Sequence, residues 1–115
     1  MNREIYEHEI QVTLGEEQYK AITDMAEDLN KKPRDIMRIL IENEYARKGV
    51  MPPLARGGLH RKEKKKTVNC TLTMTQMNML TEMSNRYHVT GMQLLRQLIE
   101  EEYLVWKFQA YGAVI

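Results

Sequence analysis

The sequence is short of the residues that mark secreted, disulfide-bonded and membrane proteins. It has one cysteine, Cys70, so no disulfide bond can form within the chain. No apolar run reaches the roughly 20 residues that a membrane-spanning helix needs, and the N-terminus lacks the apolar core of a signal peptide. We therefore expect a cytoplasmic protein that does not enter a membrane.

Residues that would carry catalysis or bind a metal are also scarce. The three histidines, His8, His60 and His88, are scattered along the chain. No pair of carboxylates, no Cys/His pair and no glycine-rich phosphate loop occurs at a useful spacing. The sequence therefore predicts no catalytic residues, no metal site and no cofactor, and an enzyme is not expected.

Charge of one sign is also lacking overall, since the formal net charge is only +1. The charges are nevertheless segregated along the chain. Residues 47–66 hold eight basic side chains against the single acid Glu63, so the rest of the chain is net acidic. A basic block of this kind indicates either a polyanionic partner or a solvated linker, and composition alone leaves both open.

Two stretches alternate strictly between apolar and polar residues, as a β-strand with one buried face does. The first covers residues 9–14, and the second, residues 67–72, follows it by 58 residues. The apolar side chains predicted to face the core are Ile10, Val12, Leu14, Val68, Cys70 and Leu72. Because no third run of this quality occurs, we expect the two strands to pair with each other under a cover of helices.

The same offset of 58 residues continues beyond the strands. Residues 9–46 align with residues 67–104 without a gap and with matching hydrophobic phase. Identical pairs include Thr13/Thr71, Leu14/Leu72, Gln18/Gln76, Met25/Met83, Arg38/Arg96 and Tyr45/Tyr103. The chain is therefore an internal duplication of a strand-helix-helix unit. Since one unit of about 40 residues rarely buries enough apolar surface to fold alone, the two are expected to share one core.

Helix signals place two helices after each strand. In the first repeat they are predicted at about 15–30 and 33–47, with Pro33 in the first turn of the second helix. In the second repeat, Thr73 and Thr90 are predicted N-caps, Thr73 forming a capping box with Gln76 three residues later. Acidic residues near the far ends of the second helices are expected to lie away from the ribbon: Glu42, Glu44, Glu100, Glu101 and Glu102.

This order of elements, twice in one chain, resembles the ribbon-helix-helix (Arc/MetJ-type) family of DNA-binding proteins in its tandem form. The resemblance implies a mainly α fold with a two-stranded antiparallel ribbon, arranged as an intramolecular pseudo-dimer. The expected divisions are a first repeat at 1–47, a basic linker at 48–66 and a second repeat at 67–115. The second repeat ends in an apolar tail, for which the first repeat has no counterpart.

The resemblance also implies a partner, double-stranded DNA, and a set of contacts. The ribbon would enter the major groove and present the polar residues of its strands to base edges. The implied base-contacting residues are Glu9, Gln11, Thr13, Thr67, Asn69 and Thr71. Glu9 departs from the family, in which a basic residue is common there. Because Gln11 and Asn69 differ, the preferred subsite is expected to be asymmetric.

Phosphate contacts are implied at the start of the second helix of each repeat, where free N–H groups favour anions. The matching residues are Lys32 and Arg34 in the first repeat and Thr90 and Gly91 in the second. Since the second set lacks charge, the two contacts are expected to differ. The composition of the basic linker adds Lys64, Lys65 and Lys66 as sequence-independent phosphate contacts.

Several roles are compatible with DNA binding. A transcriptional repressor in the nucleoid is the first choice, a conjugation accessory protein at a plasmid transfer origin the second, and an antitoxin-type autoregulator the third. A protein-interaction module that uses the apolar tail is the alternative from another class. Residues 105–115, with Trp106, Phe108 and Tyr111, are expected to join neighbouring chains along DNA.

Overall fold

The computed structural model describes residues 5–47 and 64–110. Residues 48–63 of the predicted linker and 111–115 of the tail lie outside this part. The elements in chain order are β1 (His8–Gly15), α1 (Glu16–Asp28), α2 (Pro33–Ala46), β2 (Lys65–Leu72), α3 (Met74–Tyr87) and α4 (Gly91–Ala110). The predicted mainly helical fold with one two-stranded antiparallel ribbon is confirmed.

The two strands are paired over their whole length, and the register places Gln11 opposite Asn69 at the centre. Both strands are longer than the alternating pattern predicted, because pairing uses backbone groups and does not require apolar side chains. β2 begins at Lys65, opposite Gly15, and not at Thr67. Lys65 and Lys66, predicted to lie in the linker, therefore belong to the ribbon.

One face of the ribbon lies on the core, as the alternation predicted. Val12, Leu14, Cys70 and Leu72 are fully buried. Ile10 and Val68, which lie opposite Cys70 and Val12 on the partner strands, are half-buried. This face therefore fixes which side of the ribbon is presented to solvent, since a shift of one residue would move its apolar side chains to the exposed side.

All four helices contribute to a single hydrophobic core beneath the ribbon. Its fully buried helical side chains are Ile22, Met37, Ile41, Met83, Leu94, Leu95 and Ile99. These residues come from both halves of the chain, so one hydrophobic cluster includes side chains of both repeats. Met25 and Met83 fill equivalent places in α1 and α3, whereas Met74 is exposed, so the methionines are not all core residues.

The helix starts and ends explain the boundaries of α1 and α3. Gln18 accepts a hydrogen bond from the Gly15 backbone N–H at 2.9 Å, and Gln76 accepts one from the Thr73 N–H at 3.0 Å. The Thr73 hydroxyl also accepts from the Gln76 N–H, which completes the predicted capping box. Asn30 and His88, equivalent in the two repeats, both have left-handed backbone conformations after the helices end.

Hydrogen bonds between the repeats occur in matched pairs. Arg38 donates from Nε to the carbonyl oxygen of Thr71 at 2.8 Å, and Arg96 donates to that of Thr13 at 3.1 Å. Each arginine therefore ties the second helix of its own repeat to the strand of the other repeat. A second matched pair joins Tyr45 to Glu82 at 2.7 Å and Tyr103 to Asp24 at 3.3 Å.

α4 continues six residues beyond the position that matches the end of α2. Trp106, in this extension, donates from Nε1 to Asp28 at 2.8 Å and stacks on Tyr103 with ring centroids 5.5 Å apart. The ring packs half-buried against its own chain, and its predicted role in joining chains stays a prediction. The Phe108 side chain and Tyr111 lie outside the described residues. In the parts of the chain that the structure describes, no helix is long and apolar enough to cross a bilayer.

Candidate nucleic-acid interface

The six residues predicted to contact bases are brought together on one side of the ribbon, which we call the polar face. The cross-strand pairs are Glu9–Thr71, Gln11–Asn69, Thr13–Thr67 and Gly15–Lys65. Glu9, Gln11, Thr67 and Asn69 are exposed, and Thr13 and Thr71 are half-buried. The polar face thus presents two carboxamides at its centre, with hydroxyls and one charge at either side.

Thr71 is held in place by Arg38. The guanidinium donates from Nη2 to the Thr71 hydroxyl at 2.8 Å as well as to its carbonyl, and from Nη1 to Asp35 at 2.9 Å. The Tyr6 ring lies 4.1 Å from the guanidinium carbon, in cation–π geometry. Because the Thr71 oxygen already accepts a hydrogen bond, its own hydrogen remains as the donor it can offer to a ligand.

The three lysines predicted as one group are separated by the strand. Lys65 lies on the polar face in line with Thr67 and Asn69, because residues two apart share a face. Lys66 lies on the other side, with its ammonium 4.8 Å from the centroid of the Tyr19 ring. Lys64 precedes the strand and is exposed. Lys65 was therefore missed as a polar-face residue, although extending the alternation back from Thr67 would have found it.

The N-terminus of α2 lies beside β2, where the Cys70 thiol donates to the Arg34 carbonyl oxygen at 3.5 Å. Lys32 and Arg34 are both exposed, as a phosphate contact requires. The backbone N–H of Lys32 is already bound by the Asp35 carboxylate at 3.2 Å, and Pro33 has no N–H. Asp35 thus places a negative charge at this helix start and makes the anion contact depend on the two basic side chains.

The N-terminus of α4 is built differently. The Thr90 hydroxyl accepts from the Gln93 N–H, and the Thr90 N–H donates to the Gln93 side chain, both at 3.1 Å. Thr90 is therefore the N-cap that the sequence predicted. No charged side chain takes part in this cap, and the amides of Gly91 and Met92 are first-turn donors without an acceptor inside the helix. Backbone amides and the helix dipole would carry an anion contact here.

Two ionisable groups, the Cys70 thiol and the Glu44 carboxyl, are buried away from the polar face. Burial raises the pKa of the Cys70 thiol, so it stays neutral as a small core residue. Glu44 is only 4% exposed, and burial raises its pKa. Tyr87 donates its hydroxyl to Glu44 at 3.3 Å, and Arg47 donates to the other carboxylate oxygen at 3.2 Å. Glu44 is therefore buried where the Tyr87 hydroxyl covers it.

The rest of the surface that the structure describes offers little that would bind a small ligand. In residues 5–47 and 64–110, no three His, Cys, Asp or Glu side chains are grouped to hold a metal ion. A groove of about 390 Å³ lies between α1 and α4, lined by residues of mixed charge and by Tyr103 and Leu104. Nothing in its lining converges on a single ligand chemistry.

No protein-family model, curated protein or solved structure matches this chain. The internal duplication and the geometry of the ribbon and its flanking helices are the features that bear on function.

Proposed function

We propose that the chain folds as an intramolecular pseudo-dimer of two ribbon-helix-helix units and binds double-stranded DNA in a sequence-specific manner. The polar face of the ribbon would lie in the major groove, and the bound protein would act as a transcriptional repressor. The observation that carries the proposal is the ribbon itself: Gln11 faces Asn69 at the centre of a polar face, and the apolar residues of the reverse side pack on the core.

The chemistry of the polar face suits base recognition. The major groove is about 12 Å wide and admits a two-stranded ribbon. A carboxamide such as that of Gln11 or Asn69 can form two hydrogen bonds with adenine, and a threonine can use its hydroxyl or its methyl group. Because Val12, Leu14, Cys70 and Leu72 anchor the other face, the strands offer these side chains from a rigid support.

Backbone contacts would set the position of the ribbon in the groove. Arg38 and Arg96 hold the early turns of α2 and α4 against the two strands, so both helix N-termini flank the ribbon. Lys32 and Arg34 supply charge at one terminus, and the Gly91 amide supplies a neutral donor at the other. Phosphates on the two sides of a groove could be held in this way.

The pseudo-dimer is supported by the reciprocity of contacts between the repeats. Equivalent residues make the cross-repeat hydrogen bonds in both directions. Arg38 and Arg96 each bind the strand of the other repeat, and Tyr45 and Tyr103 each bind a carboxylate of the other repeat. One chain would therefore supply the complete ribbon that two chains supply in a homodimer. Repression follows from occupancy, since a protein seated in the groove upstream of a gene excludes other proteins from that site.

Selection from a pool of random duplexes, followed by footprinting on the region upstream of the protein's own gene, tests the proposal. We expect a defined sequence to be enriched and protected, and a reporter under that region to be repressed. Asn43→Ala, an exposed substitution on the far half of α2, is the matched control and should leave binding unchanged. Equal affinity for selected and scrambled duplexes would contradict sequence-specific binding.

A further inference from the structure

The charges at the two ends of the polar face have opposite signs. Glu9 is exposed at one end, and Glu7, 61% exposed, precedes it immediately before β1. Lys65 is exposed at the other end, opposite Gly15. Lys64 adds a second exposed cation beside it. The polar face therefore runs from acidic to basic along its length.

The duplication makes this difference visible as a departure from two-fold symmetry. Lys65 occupies in the second repeat the position that Glu7 occupies in the first, and Thr67 occupies the position of Glu9. A symmetric ribbon would carry the same residue at both members of each pair. Here one position reverses its charge and the other loses it, whereas Thr13 and Thr71 are identical.

We infer that Lys65 and Glu9 are specificity-determining residues that orient the protein on an asymmetric DNA subsite, with guanine read by Lys65 and cytosine by Glu9. This inference rests on the proposed function and adds to it the identity of two bases and a single docking direction. A lysine ammonium donates to the O6 and N7 atoms of guanine, and a carboxylate accepts from the N4 amino group of cytosine. Lysine is not expected to read cytosine, because its ammonium and the N4 amino group are both donors. Glutamate is not expected to read guanine, because its carboxylate and the O6 and N7 atoms are all acceptors.

The spacing of the strand sets where the two bases lie. Lys65 is four residues from Asn69, which is about 13 Å along a strand, or the rise of roughly four base pairs. Glu9 is two residues from Gln11, or roughly two base pairs from the centre on the opposite side. The two specified positions therefore lie at unequal distances from the centre of the subsite, and the ribbon does not read the two halves of the subsite alike.

The acidic end of the polar face can lie against DNA because basic side chains beside it offset the repulsion between Glu9 and the phosphates. The Cys70–Arg34 contact places the N-terminus of α2, with exposed Lys32 and Arg34, beside β2 near that end. These side chains would meet phosphates at the wall of the groove, while Glu9 faces the base edges on its floor. At the other end the start of α4 is uncharged, and Lys64 takes the corresponding role.

The first test compares base preferences after selection from random duplexes. Lys65→Ala should lower the preference for guanine at its position by about tenfold and leave the cytosine preference intact, and Glu9→Ala should do the reverse. Lys64→Ala is the matched control, since it should weaken binding to all duplexes equally and change no base preference. Unchanged base preferences in both Lys65→Ala and Glu9→Ala would overturn the inference.

The second test makes the polar face symmetric. The triple variant Glu7→Lys, Glu9→Thr, Gln11→Asn gives both strands the same outward residues, and all three positions are exposed, so the melting temperature should not fall. An iron chelate attached to Lys31→Cys cleaves DNA near one end of the ribbon only, and buried Cys70 does not take the label. We expect cleavage on one side of the subsite in the Lys31→Cys protein and on both sides, with a palindromic subsite, when the triple variant is added.

Cleavage on both sides in the Lys31→Cys protein without the other changes would overturn the orientation while leaving DNA binding intact. If no duplex is enriched at all, the proposed function fails and the inference fails with it. The melting temperature, measured on every variant, separates a loss of reading from a loss of folding.

Discussion

The two repeats place the same residue in opposite environments at one pair of positions. Glu44 in α2 is buried under the Tyr87 hydroxyl, whereas its counterpart Glu102 in α4 is exposed. The difference arises from the neighbouring helix, because the residue that matches Tyr87 in the first repeat is Leu29, which is 52% exposed. An identical letter therefore does not imply an identical role after a duplication.

Other positions retained both the residue and its role. Arg38 and Arg96 each hold the strand of the other repeat, and Gln18 and Gln76 each cap the helix after their strand. These contacts define the ribbon and its attachment to the helices. The repeats also differ at their surfaces. The first carries exposed positive charge at the start of α2, and the second carries it on the strand, at Lys65.

The largest expected effect comes from the shared core. Ile41 and Ile99 are equivalent and fully buried. Ile41→Ala and Ile99→Ala should each lower the free energy of unfolding by about 2–5 kcal/mol. Because the core is common to both repeats, denaturant unfolding followed by far-UV circular dichroism should remain a single transition in each variant. Two separate transitions would show that the repeats fold independently.

The next effect concerns the centre of the polar face. Gln11→Ala and Asn69→Ala should each weaken binding to the selected duplex by about 1–3 kcal/mol, the cost of a two-bond base contact. Binding to a scrambled duplex should barely change, and so should the melting temperature, because both side chains are exposed. Fluorescence anisotropy with the two duplexes measures the difference. If both variants still bind the selected duplex more tightly than the scrambled one by the wild-type margin, the ribbon does not recognise the bases.

The Glu44/Glu102 comparison predicts unequal costs from the same substitution. Glu44→Ala should destabilise the fold by about 1–2 kcal/mol, since it leaves the buried Tyr87 hydroxyl without its acceptor. Glu102→Ala should change the free energy of unfolding by no more than about 0.5 kcal/mol, as exposed substitutions usually do. Equal costs in urea titrations would mean that Tyr87 finds another partner.

The raised pKa of Glu44 also predicts how the stability of the fold depends on pH. Burial raises the pKa of Glu44 in the folded protein, so the folded state binds this proton more tightly than the unfolded chain. Its contribution is therefore fully present below the ordinary glutamate pKa and is lost as the pH rises through the raised folded value. Relative to Glu44→Gln, the wild type should gain stability as the pH falls from neutral, and a gap that does not vary with pH would contradict this.

The smallest expected effect is a difference in stability between substitutions at the N-caps of α4 and α2. Thr90→Ala removes a hydroxyl that caps α4 and should cost about 1 kcal/mol of stability. Lys32 makes no side-chain cap bond at the equivalent position, so Lys32→Ala should leave stability nearly unchanged and lower DNA affinity. Thermal melts and anisotropy on both variants check the contrast, and a stable Thr90→Ala protein would show that the Gln93 contact alone suffices.

Local patterns were sufficient for most of the fold. Period-two alternation identified both strands and their buried faces, and the 58-residue repeat identified the helix pairs. Thr73 and Thr90 were recognisable as caps because their hydrogen bonds are made within three residues of the chain. These features depend on neighbours in sequence, which is why one sequence was enough to predict them.

The tertiary structure decided the features that depend on distant partners. The strand begins at Lys65 because Gly15 offers its backbone for pairing, so a lysine that composition placed in a linker joins the polar face. Trp106 packs on its own chain because Asp28 and Tyr103 lie within reach. Glu44 is buried because Tyr87, 43 residues away, covers it. Periodicity and charge report what a residue prefers, whereas burial is set by whichever element happens to pack against it.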